Sequence, residues 1–293
     1  MTRSLRTVII PAAGRGTRLL PATRVTAKEL LPVYDRVLID FAMQDALQAG
    51  AERIIVVISR SKTAIRDYLS GDTAYSEPES ARRRIGVDDP HPAAMPEVVY
   101  VYQDRPLGLG HAVLCCANLA LPGPIGVILP DDVIMGTECL SEMAGRYTRG
   151  QMVAAMQVGA DETSQYGIFR LRGLPIDRCI AVSGMVEKPK AGTAPSSMAA
   201  VGRYILDPAI FDALGQTLVG AGGEVQLTDA ISIATKSLPL TAFRFSGMRF
   251  DCGNHDGLLA ASQARQVIAM AEAIARNRSG AHAGAAQNAR ELI

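Results

Sequence analysis

A stretch near the amino terminus limits the possible folds more than any other part of the sequence. The β-branched run at residues 8–10 stops at a proline, and small residues and two glycines, Gly14 and Gly16, follow. A strand that feeds such a tight loop lets the backbone approach phosphate oxygens. Arg18 and, ten residues later, Lys28 supply positive charge to neutralise them. The stretch therefore predicts a phosphate-binding loop at the end of the first strand.

Two commoner phosphate-binding loops fail on specific residues. A P-loop requires Gly-Lys-Ser/Thr after its second glycine, where this chain has Thr17 and Arg18. A dinucleotide-binding loop requires a third glycine or alanine where Leu19 stands, and an acid where Ser59 and Arg60 end the second strand. An ordinary glycine-rich turn accounts for the glycines alone. It does not account for the cations that follow at this spacing.

Composition excludes several classes of protein. The 293 residues, of which 48% are hydrophobic and 20% charged, are sufficient for a large α/β core. A net charge of +1 without a basic block gives no reason to expect nucleic acid or a membrane as a partner. No apolar stretch reaches the length of a signal or spanning segment, so we expect a cytoplasmic protein. Five cysteines without a Cys-x-x-Cys spacing favour neither disulfides nor zinc.

Apolar periodicity predicts that helices and strands alternate. A helical pattern at residues 37–49 precedes a β-branched run at residues 53–59, and strands are predicted at residues 98–102, 125–129 and 152–158. Strand, helix and strand in succession favour parallel pairing with right-handed crossovers. We therefore predict an α/β protein with a mostly parallel, partly mixed sheet that helices cover on both sides.

Other patterns predict local structure. Ser61 is expected to cap a helix at residues 61–69, and residues 70–97, rich in Pro, Gly, Ser and charge, are expected to form a solvated loop or short helical face. Thr228 and Asp229 are expected to cap a helix that runs to residue 236.

The carboxyl terminus is predicted to add one long element. Apolar residues at helical spacing indicate an amphipathic helix over residues 256–275, which is either a lid on the core or a subunit contact. The polar, Ala/Gly-rich residues 276–293 are expected to fray.

Polar residues follow several predicted strands, at the edge where ligands collect in open parallel sheets. Gln103 carries a donor and an acceptor together, as recognition of a pyrimidine edge requires. Asp131 and Asp251 end two other strands and are candidates for metal or hydroxyl contacts. Taken alone, Gln103 is better explained as a surface glutamine in a strand-to-helix turn, and a strand-end aspartate is as typical of a turn cap as of a ligand contact.

A further pair of charged residues ends a strand just before a proline. Glu187 suits sugar hydroxyls and Lys188 suits a phosphate dianion, whereas a surface ion pair is the alternative interpretation. Gly202, inside the strand predicted at residues 200–204, would allow a ring to approach. We interpret His111 as a structural histidine and Cys252 as an inert neighbour.

Together these segments resemble the sugar-nucleotide pyrophosphorylases, and among them most closely the bacterial uridylyltransferases that act on glucose 1-phosphate. The resemblance covers roughly residues 5 to 260. The residues that carry it are Gly14-x-Gly16-Thr17-Arg18-x-Leu20-Pro21-Ala22-Thr23, Lys28-Glu29, Gln103-x-x-Pro106-x-Gly108-Leu109-Gly110-His111, Val186-Glu187-Lys188-Pro189 and Gly222 to Asp229.

The resemblance implies a fold and an activity. It implies a Rossmann-like nucleotidyltransferase domain over residues 1–255, which binds nucleotide up to about residue 150 and sugar phosphate after it, and then a helix and tail at residues 256–293. It implies that UTP and glucose 1-phosphate react to give UDP-glucose and pyrophosphate, with Mg²⁺ as cofactor. It also implies a homodimer or homotetramer.

The resemblance also assigns roles to individual residues. Arg18 would hold the departing pyrophosphate, Lys28 the triphosphate and Lys188 the attacking phosphate, while Asp131 and Asp251 would bind Mg²⁺. These five are the implied catalytic residues. The implied nucleotide-binding residues are Ala12, Ala13, Gly14, Gly16, Thr17, Arg18, Lys28, Glu29, Gln103 and Gly108, with Glu29 near the base or ribose. The implied sugar-phosphate-binding residues are Asp132, Gly167, Glu187, Lys188 and Gly202.

Departures from the family pattern leave other functions open. Ala27 stands where the family usually has proline before the lysine, and Arg36-Val37 stands where it often has Lys-Pro. A catalytically weak homologue that binds a nucleotide sugar and regulates a partner is therefore one alternative. A thymidylyltransferase, or an enzyme for another sugar 1-phosphate, is the second. Glu29 favours the uridylyl interpretation, because related thymidylyltransferases often carry glutamine there.

Overall fold

The computed structural model describes residues 5–71, 95–220 and 223–290. The prediction for residues 70–97 therefore falls almost entirely outside the described residues. Within these ranges, no helix combines the length and apolar character needed to cross a membrane.

Strands and helices alternate through the first half of the chain, as predicted. The strands are β1 (Thr7–Pro11), β2 (Pro32–Val33), β3 (Arg36–Val37), β4 (Arg53–Ile58), β5 (Glu97–Tyr102), β6 (Ile125–Ile128), β7 (Asp132–Met135), β8 (Gln151–Gln157), β9 (Gly167–Ile176), β10 (Cys179–Glu187), β11 (Met198–Leu206), β12 (Leu240–Arg244) and β13 (Met248–Asp251). The helices are α1 (Leu38–Gln48), α2 (Thr63–Ser70), α3 (Gly108–Leu114), α4 (Cys139–Ala144), α5 (Ile210–Gln216), α6 (Leu227–Ala234) and α7 (His255–Arg290).

Nine strands of the described ranges form one mixed sheet, in the order β5-β4-β1-β6-β11-β8-β12-β10-β9. Parallel pairs join β5, β4, β1 and β6, and one more joins β8 to β12. The strand β11 runs antiparallel to both β6 and β8, and β10 runs antiparallel to β9 and β12. The predicted α/β fold with a mixed sheet is confirmed, but the sheet is not mostly parallel, because its parallel pairs lie mainly in the N-terminal half and antiparallel pairs dominate the C-terminal half.

Helices cover both faces of this sheet, as predicted, and alternation along β1 shows how. Ile9 packs into a cluster that contains apolar residues of α3, α5 and α6. Val8 and Ile10 point to the opposite face and pack with residues of α1, α2 and α4. Because side chains alternate along a strand, one short β-branched run contributes to both layers of the core.

Two predicted helix caps are wrong. Helix α2 begins at Thr63, and the Ser61 hydroxyl instead lies 3.0 Å from the Ser59 hydroxyl. Helix α6 begins at Leu227 without a side-chain cap, and the Thr228 hydroxyl donates to Glu187 Oε2 at 2.7 Å. In both places the hydroxyl that was predicted to cap a helix contacts another side chain instead: Ser61 contacts its neighbour Ser59, and Thr228 contacts Glu187 on a distant strand.

The C-terminal helix is longer than predicted. Helix α7 runs from His255 to Arg290, so the backbone predicted to fray from residue 276 is helical, in keeping with the high helix propensity of its alanines. Its inner face packs on a separate apolar cluster beneath the glycine loop. Another face leaves an apolar stripe exposed, made of Leu259, Val267, Met270 and Ile274.

Truncation tests the packing role of α7. Ending the chain after His255 would remove Leu258, Ala261 and Ile268 and uncover the buried side chains of Leu31 and Val33. We expect this variant to aggregate or to lose cooperative unfolding, because it exposes a contiguous apolar surface. Ending the chain after residue 280 is the control and should leave stability unchanged. A soluble, stable chain of residues 1–255, measured by size-exclusion chromatography and denaturant titration, would contradict the packing role.

Candidate active site

A cavity of about 490 Å³ opens at the carboxyl edge of the sheet, where polar residues from distant parts of the chain meet. The charged residues that line it are Arg18, Asp131, Asp132, Glu187, Lys188, Arg249 and Asp251. The glycine loop lies on one side of this cavity and the ends of β10 and β13 on the others. The sequence therefore placed its strand-end candidates on the correct edge.

The glycine loop folds back on the segment that carries Lys28. Gly16 has φ 66°, a backbone conformation that favours glycine, and its carbonyl accepts a hydrogen bond from the Thr23 hydroxyl at 2.8 Å. A Cβ at Gly16 would lie 3.1 Å from Thr23 Cγ2 and 3.2 Å from Lys28 Cβ. A larger residue would push the Lys28 segment away from the loop.

Each loop cation pairs with a carboxylate from a distant strand end. Lys28 Nζ donates to Asp131 Oδ2 at 2.6 Å, and Arg18 Nη1 donates to Asp251 Oδ2 at 3.3 Å. Burial tends to lower the pKa of Lys28, but Asp131 and Glu29 outweigh it and raise that pKa. Burial tends to raise the pKa of Asp131, but Lys28 outweighs it and lowers that pKa. Both members of the Lys28–Asp131 pair therefore stay charged near neutral pH.

The two carboxylates converge on one small space. A Cβ at Gly253 would collide with Arg18 Nη2 and would lie 2.9 Å from Asp251 Oδ1 and 3.1 Å from Asp131 Oδ2. The Cys252 N–H also donates to the Asp131 carbonyl at 2.8 Å, which ties the two strand ends together. Mg²⁺ sites often use one or two carboxylates, so this pair fits a hard divalent cation, although the Arg18 guanidinium now lies between them and would have to move for the ion to bind.

The sugar-side candidates line the same cavity. Glu187 Oε2 accepts the Thr228 hydrogen bond and lies 3.2 Å from where a Cβ at Gly167 would stand. Lys188 is exposed, has φ 42°, and its N–H donates to the Tyr166 carbonyl at 3.0 Å. Positive φ at a residue with a side chain costs about 1 to 3 kcal/mol and is typical of functional sites. The turn that carries Lys188 is thus held in an unfavourable conformation at the rim of the cavity.

Asp132 and Gly202 contact each other. Asp132 Oδ1 accepts from Arg249 Nε at 2.6 Å, and its Oδ2 accepts from the Gly202 N–H at 2.8 Å. A Cβ at Gly202 would lie 2.6 Å from Asp132 Cβ, so the space at this glycine is taken by Asp132 and not by an approaching ring. Burial raises the pKa of Asp132 despite the neighbouring guanidinium of Arg249. The predicted contacts of Asp132 and Gly202 with sugar phosphate stay predictions.

Glu29 lies beneath the loop instead of on its ligand-facing side. Its side chain is 0% exposed, and Oε2 accepts from Lys62 Nζ at 2.7 Å. The same ammonium donates to the Ala12 carbonyl at 2.8 Å, so Lys62 anchors the start of the glycine loop. Because no surface of Glu29 is exposed, the predicted base or ribose contact is not available in this arrangement. The family pattern gave no role to Lys62, although a buried acid requires a cationic partner.

Gln103 and Gly108 lie at the carboxyl end of β5, on the same sheet edge. Gln103 is 7% exposed, and its Nε2 lies 3.0 Å from the Gly108 carbonyl and 3.0 Å from His111 Nδ1. Gly108 has φ 89°, and a Cβ there would lie 2.7 Å from Glu224 Cβ. Glycine at this position is therefore required by packing against the segment before α6.

The structure thus groups most of the predicted residues and adds some that sequence reasoning missed. Ala13 and Thr17 line a second cavity of about 410 Å³ on the outer side of the loop, together with Lys62. The missed residues are Lys62, Tyr166, Thr228 and Arg249, all partly buried partners of predicted residues. A polar residue within an otherwise apolar helix or strand could have indicated Thr228 and Arg249, whereas Lys62 and Tyr166 lie just outside such elements and carry no such signal.

A mixed α/β sheet whose glycine loop faces two strand-end carboxylates defines a nucleotidyltransferase. The chain belongs to the nucleotidyl transferase family, whose family model matches residues 7–267. It is 38% identical over 265 residues to a UTP–glucose-1-phosphate uridylyltransferase of Bacillus subtilis, covering 88% of this chain and 89% of that protein. It is also 38% identical to a Pseudomonas aeruginosa protein of the same name, covering 88% of this chain and 95% of that protein.

Solved structures agree with these relatives. A UDP-glucose pyrophosphorylase complexed with UDP-glucose superimposes with a TM-score of 0.79 at 36% identity, covering 89% of this chain and 98% of that one. A UTP-bound UGPase from Acinetobacter baumannii superimposes with a TM-score of 0.76 at 34% identity, covering 89% and 93%. A glucose-1-phosphate thymidylyltransferase of Bacillus anthracis, at 24% identity and a TM-score of 0.69, shares the fold.

Proposed function

We propose that this protein transfers a uridylyl group from UTP to glucose 1-phosphate, giving UDP-glucose and pyrophosphate with the help of Mg²⁺. The observation that carries the proposal is the convergence of two loop cations and two strand-end carboxylates around Gly253. Relatives and solved structures named for this reaction, and one bound to UTP, support it.

The proposed division of labour follows the chain. Residues up to about 150 supply the glycine loop, Asp131 and Gln103 and would bind the nucleotide. Residues from there to 255 supply Glu187, Lys188 and Asp251 and would bind the sugar phosphate and complete the metal site. The C-terminal residues 256–293 would form the helix and tail that cover the apolar cluster beneath the glycine loop. The exposed apolar stripe on α7 supports a homodimer or homotetramer. A cytoplasmic location is also part of this proposal.

The chemistry requires no general base. The phosphate of a sugar 1-phosphate is largely a dianion near neutral pH, given a second pKa of about 6. One of its oxygens attacks the α-phosphorus of UTP, and the bond from that phosphorus to the oxygen bridging it to the β-phosphate breaks. The electron pair leaves with pyrophosphate, and no proton has to move. This accounts for a site built from cations and carboxylates instead of a nucleophile and its base.

The residues of the chain align the two phosphates and neutralise their charge. Arg18 would hold the departing pyrophosphate, Lys28 the triphosphate and Lys188 the attacking phosphate. When bound between Asp131 and Asp251, Mg²⁺ would supply Lewis-acid stabilisation of the negative charge on the phosphate oxygens. Since Asp131 and Asp251 already pair with the loop cations, the site is organised before substrate arrives.

A panel of nucleotides tests the proposed function. We expect kcat/KM for UTP with glucose 1-phosphate to exceed that for CTP, ATP and GTP by a wide margin, because each mismatched buried polar group costs about 1 to 3 kcal/mol. Discrimination against dTTP should be weaker, since it depends on one methyl and one ribose hydroxyl. A preference for dTTP would favour the thymidylyltransferase alternative. Absence of pyrophosphate release in a single-turnover assay, despite UDP-glucose binding, would favour the regulatory homologue.

The role of Lys188 is tested by its effect on each substrate. We expect Lys188→Ala to raise the KM for glucose 1-phosphate about ten- to a hundredfold and to change the KM for UTP far less, because one charged hydrogen bond is lost from one substrate. Lys190→Ala is the matched control, since Lys190 is also exposed but does not line the cavity. Initial-rate kinetics measure both constants. An equal effect on both substrates would assign Lys188 to the triphosphate.

A further inference from the structure

The Gln103 amide is held in one orientation by two acceptors. The Gly108 carbonyl can only accept a hydrogen bond, and it lies 3.0 Å from Gln103 Nε2, so the amino group and not the carbonyl of Gln103 faces it. Gly108 cannot shift easily, because the Glu224 side chain fills the space beside it. Packed backbone therefore holds one of the two amide hydrogens of Gln103.

His111 takes the second amide hydrogen. Its Nδ1 lies 3.0 Å from the same Gln103 Nε2, so Nδ1 must accept and the ring proton must lie on Nε2. The Cys115 thiol, just past the end of α3, lies 3.7 Å from Nδ1 and 3.9 Å from Nε2, so this contact does not distinguish the two tautomers. Both amide hydrogens of Gln103 are thus used inside the protein.

The remaining group of the amide is its carbonyl oxygen. No hydrogen bond among the described residues uses Gln103 Oε1, and it is absent from the buried polar atoms without a partner, so it retains contact with solvent. It lies at the end of β5, on the sheet edge that carries the glycine loop. Oε1 is therefore the only atom of this amide left to pair with a base, if the base binds at this edge as the proposed function requires.

We propose that His111 is a positioning residue for base selection: by accepting from Gln103 it leaves only an acceptor for the base, which selects bases that carry a ring N–H. Uracil and thymine carry a donor at N3, whereas N3 of cytosine is an acceptor that would face Oε1 without a hydrogen. This inference rests on the proposed function and explains how one amide, which could pair with either edge, discriminates between them. It also gives a role to a histidine that the sequence pattern left as structural.

Variants of His111 test the inference through the ratio of kcat/KM for UTP to kcat/KM for CTP. His111→Leu removes the acceptor and frees one amide hydrogen, so we expect this ratio to fall by about tenfold or more. His111→Asn restores an acceptor near the position of Nδ1 and should keep the ratio within about threefold of the original protein. Cys115→Ala, which touches the ring but not Gln103, is the matched control and should leave the ratio unchanged.

A spectroscopic measurement keeps the inference testable if His111→Leu does not fold. Nitrogen chemical shifts of the His111 ring in the intact protein should show a proton on Nε2 and none on Nδ1; a proton on Nδ1 would overturn the inference. An unchanged ratio in a folded His111→Leu, or an equal loss in His111→Asn, would also overturn it. In either case, formation of UDP-glucose from UTP by the original protein would leave the proposed function intact. Failure of that reaction would reject the proposed function itself.

Discussion

Asp131→Asn and Asp251→Asn are each expected to abolish most turnover while the protein stays folded. Each change removes one of the two negative charges around Gly253, and the metal assistance they provide is worth several kcal/mol. We therefore expect kcat/KM to fall by at least about a hundredfold in either variant. Because the two carboxylates act as one unit, the double variant should cost little more than either single change.

The measurement is pyrophosphate release over a range of Mg²⁺ concentrations, with circular dichroism as the check on folding. Asp177→Asn is the control. It also removes the charge of an aspartate that pairs with an arginine, because Asp177 lies 2.6 Å from Arg146 Nε, but this pair is on the surface. It should leave kinetics and fold unchanged. Near-normal rates in either Asp131→Asn or Asp251→Asn would remove the two-carboxylate assignment.

Asp45→Ala is expected to lower the free energy of unfolding by about 3 to 5 kcal/mol, the largest effect on stability that we predict for a single substitution. Asp45 Oδ2 accepts from Arg203 Nε at 2.7 Å, and Arg203 is 1% exposed. Without Asp45 the guanidinium stays buried without a counter-charge. Arg203 Nη1 also donates to the Asp132 carbonyl, so the strand end that carries Asp131 should loosen as well.

Denaturant titration measures this effect, and two variants sharpen it. Asp177→Ala removes an exposed ion pair and should change stability little, because exposed pairs are screened by water. The double change Asp45→Leu with Arg203→Met removes both buried charges and should recover most of the lost stability. If Asp45→Ala is no more destabilising than Asp177→Ala, the pair does not hold the core together.

Local sequence patterns were sufficient to predict many of the strands and helices of this protein and the types of residue in its candidate site. The β-branched run at residues 8–10, followed by Gly14 and Gly16, specifies a buried strand and a tight loop because backbone sterics act over a few residues. The strand ends that carry Asp131 and Asp251 were likewise evident from apolar runs that stop at acids. Their meeting was not evident, because β13, which ends at Asp251, lies outside the main sheet and pairs antiparallel with β7, directly after Asp131.

Only the tertiary structure decided which side chains are partners. Lys28 and Asp131 are 103 residues apart, Arg18 and Asp251 are 233 apart, and Arg203 reaches Asp45 across 158 residues. The sequence shows that each of these residues is charged, but it does not show which of them lie close together in the fold. Such pairs form because burial makes an unpaired charge costly, and burial is known only once strands and helices have packed.

The same reason explains where sequence reasoning was wrong or incomplete. Glu29 was assigned to the base from its place beside Lys28, but packing of α2 against the loop buries it with Lys62. Thr228 was assigned to a helix cap, but the approach of β10 gives its hydroxyl to Glu187. His111 carried no functional signal in the sequence, because its significance is a single acceptor atom that only the folded α3 presents to Gln103.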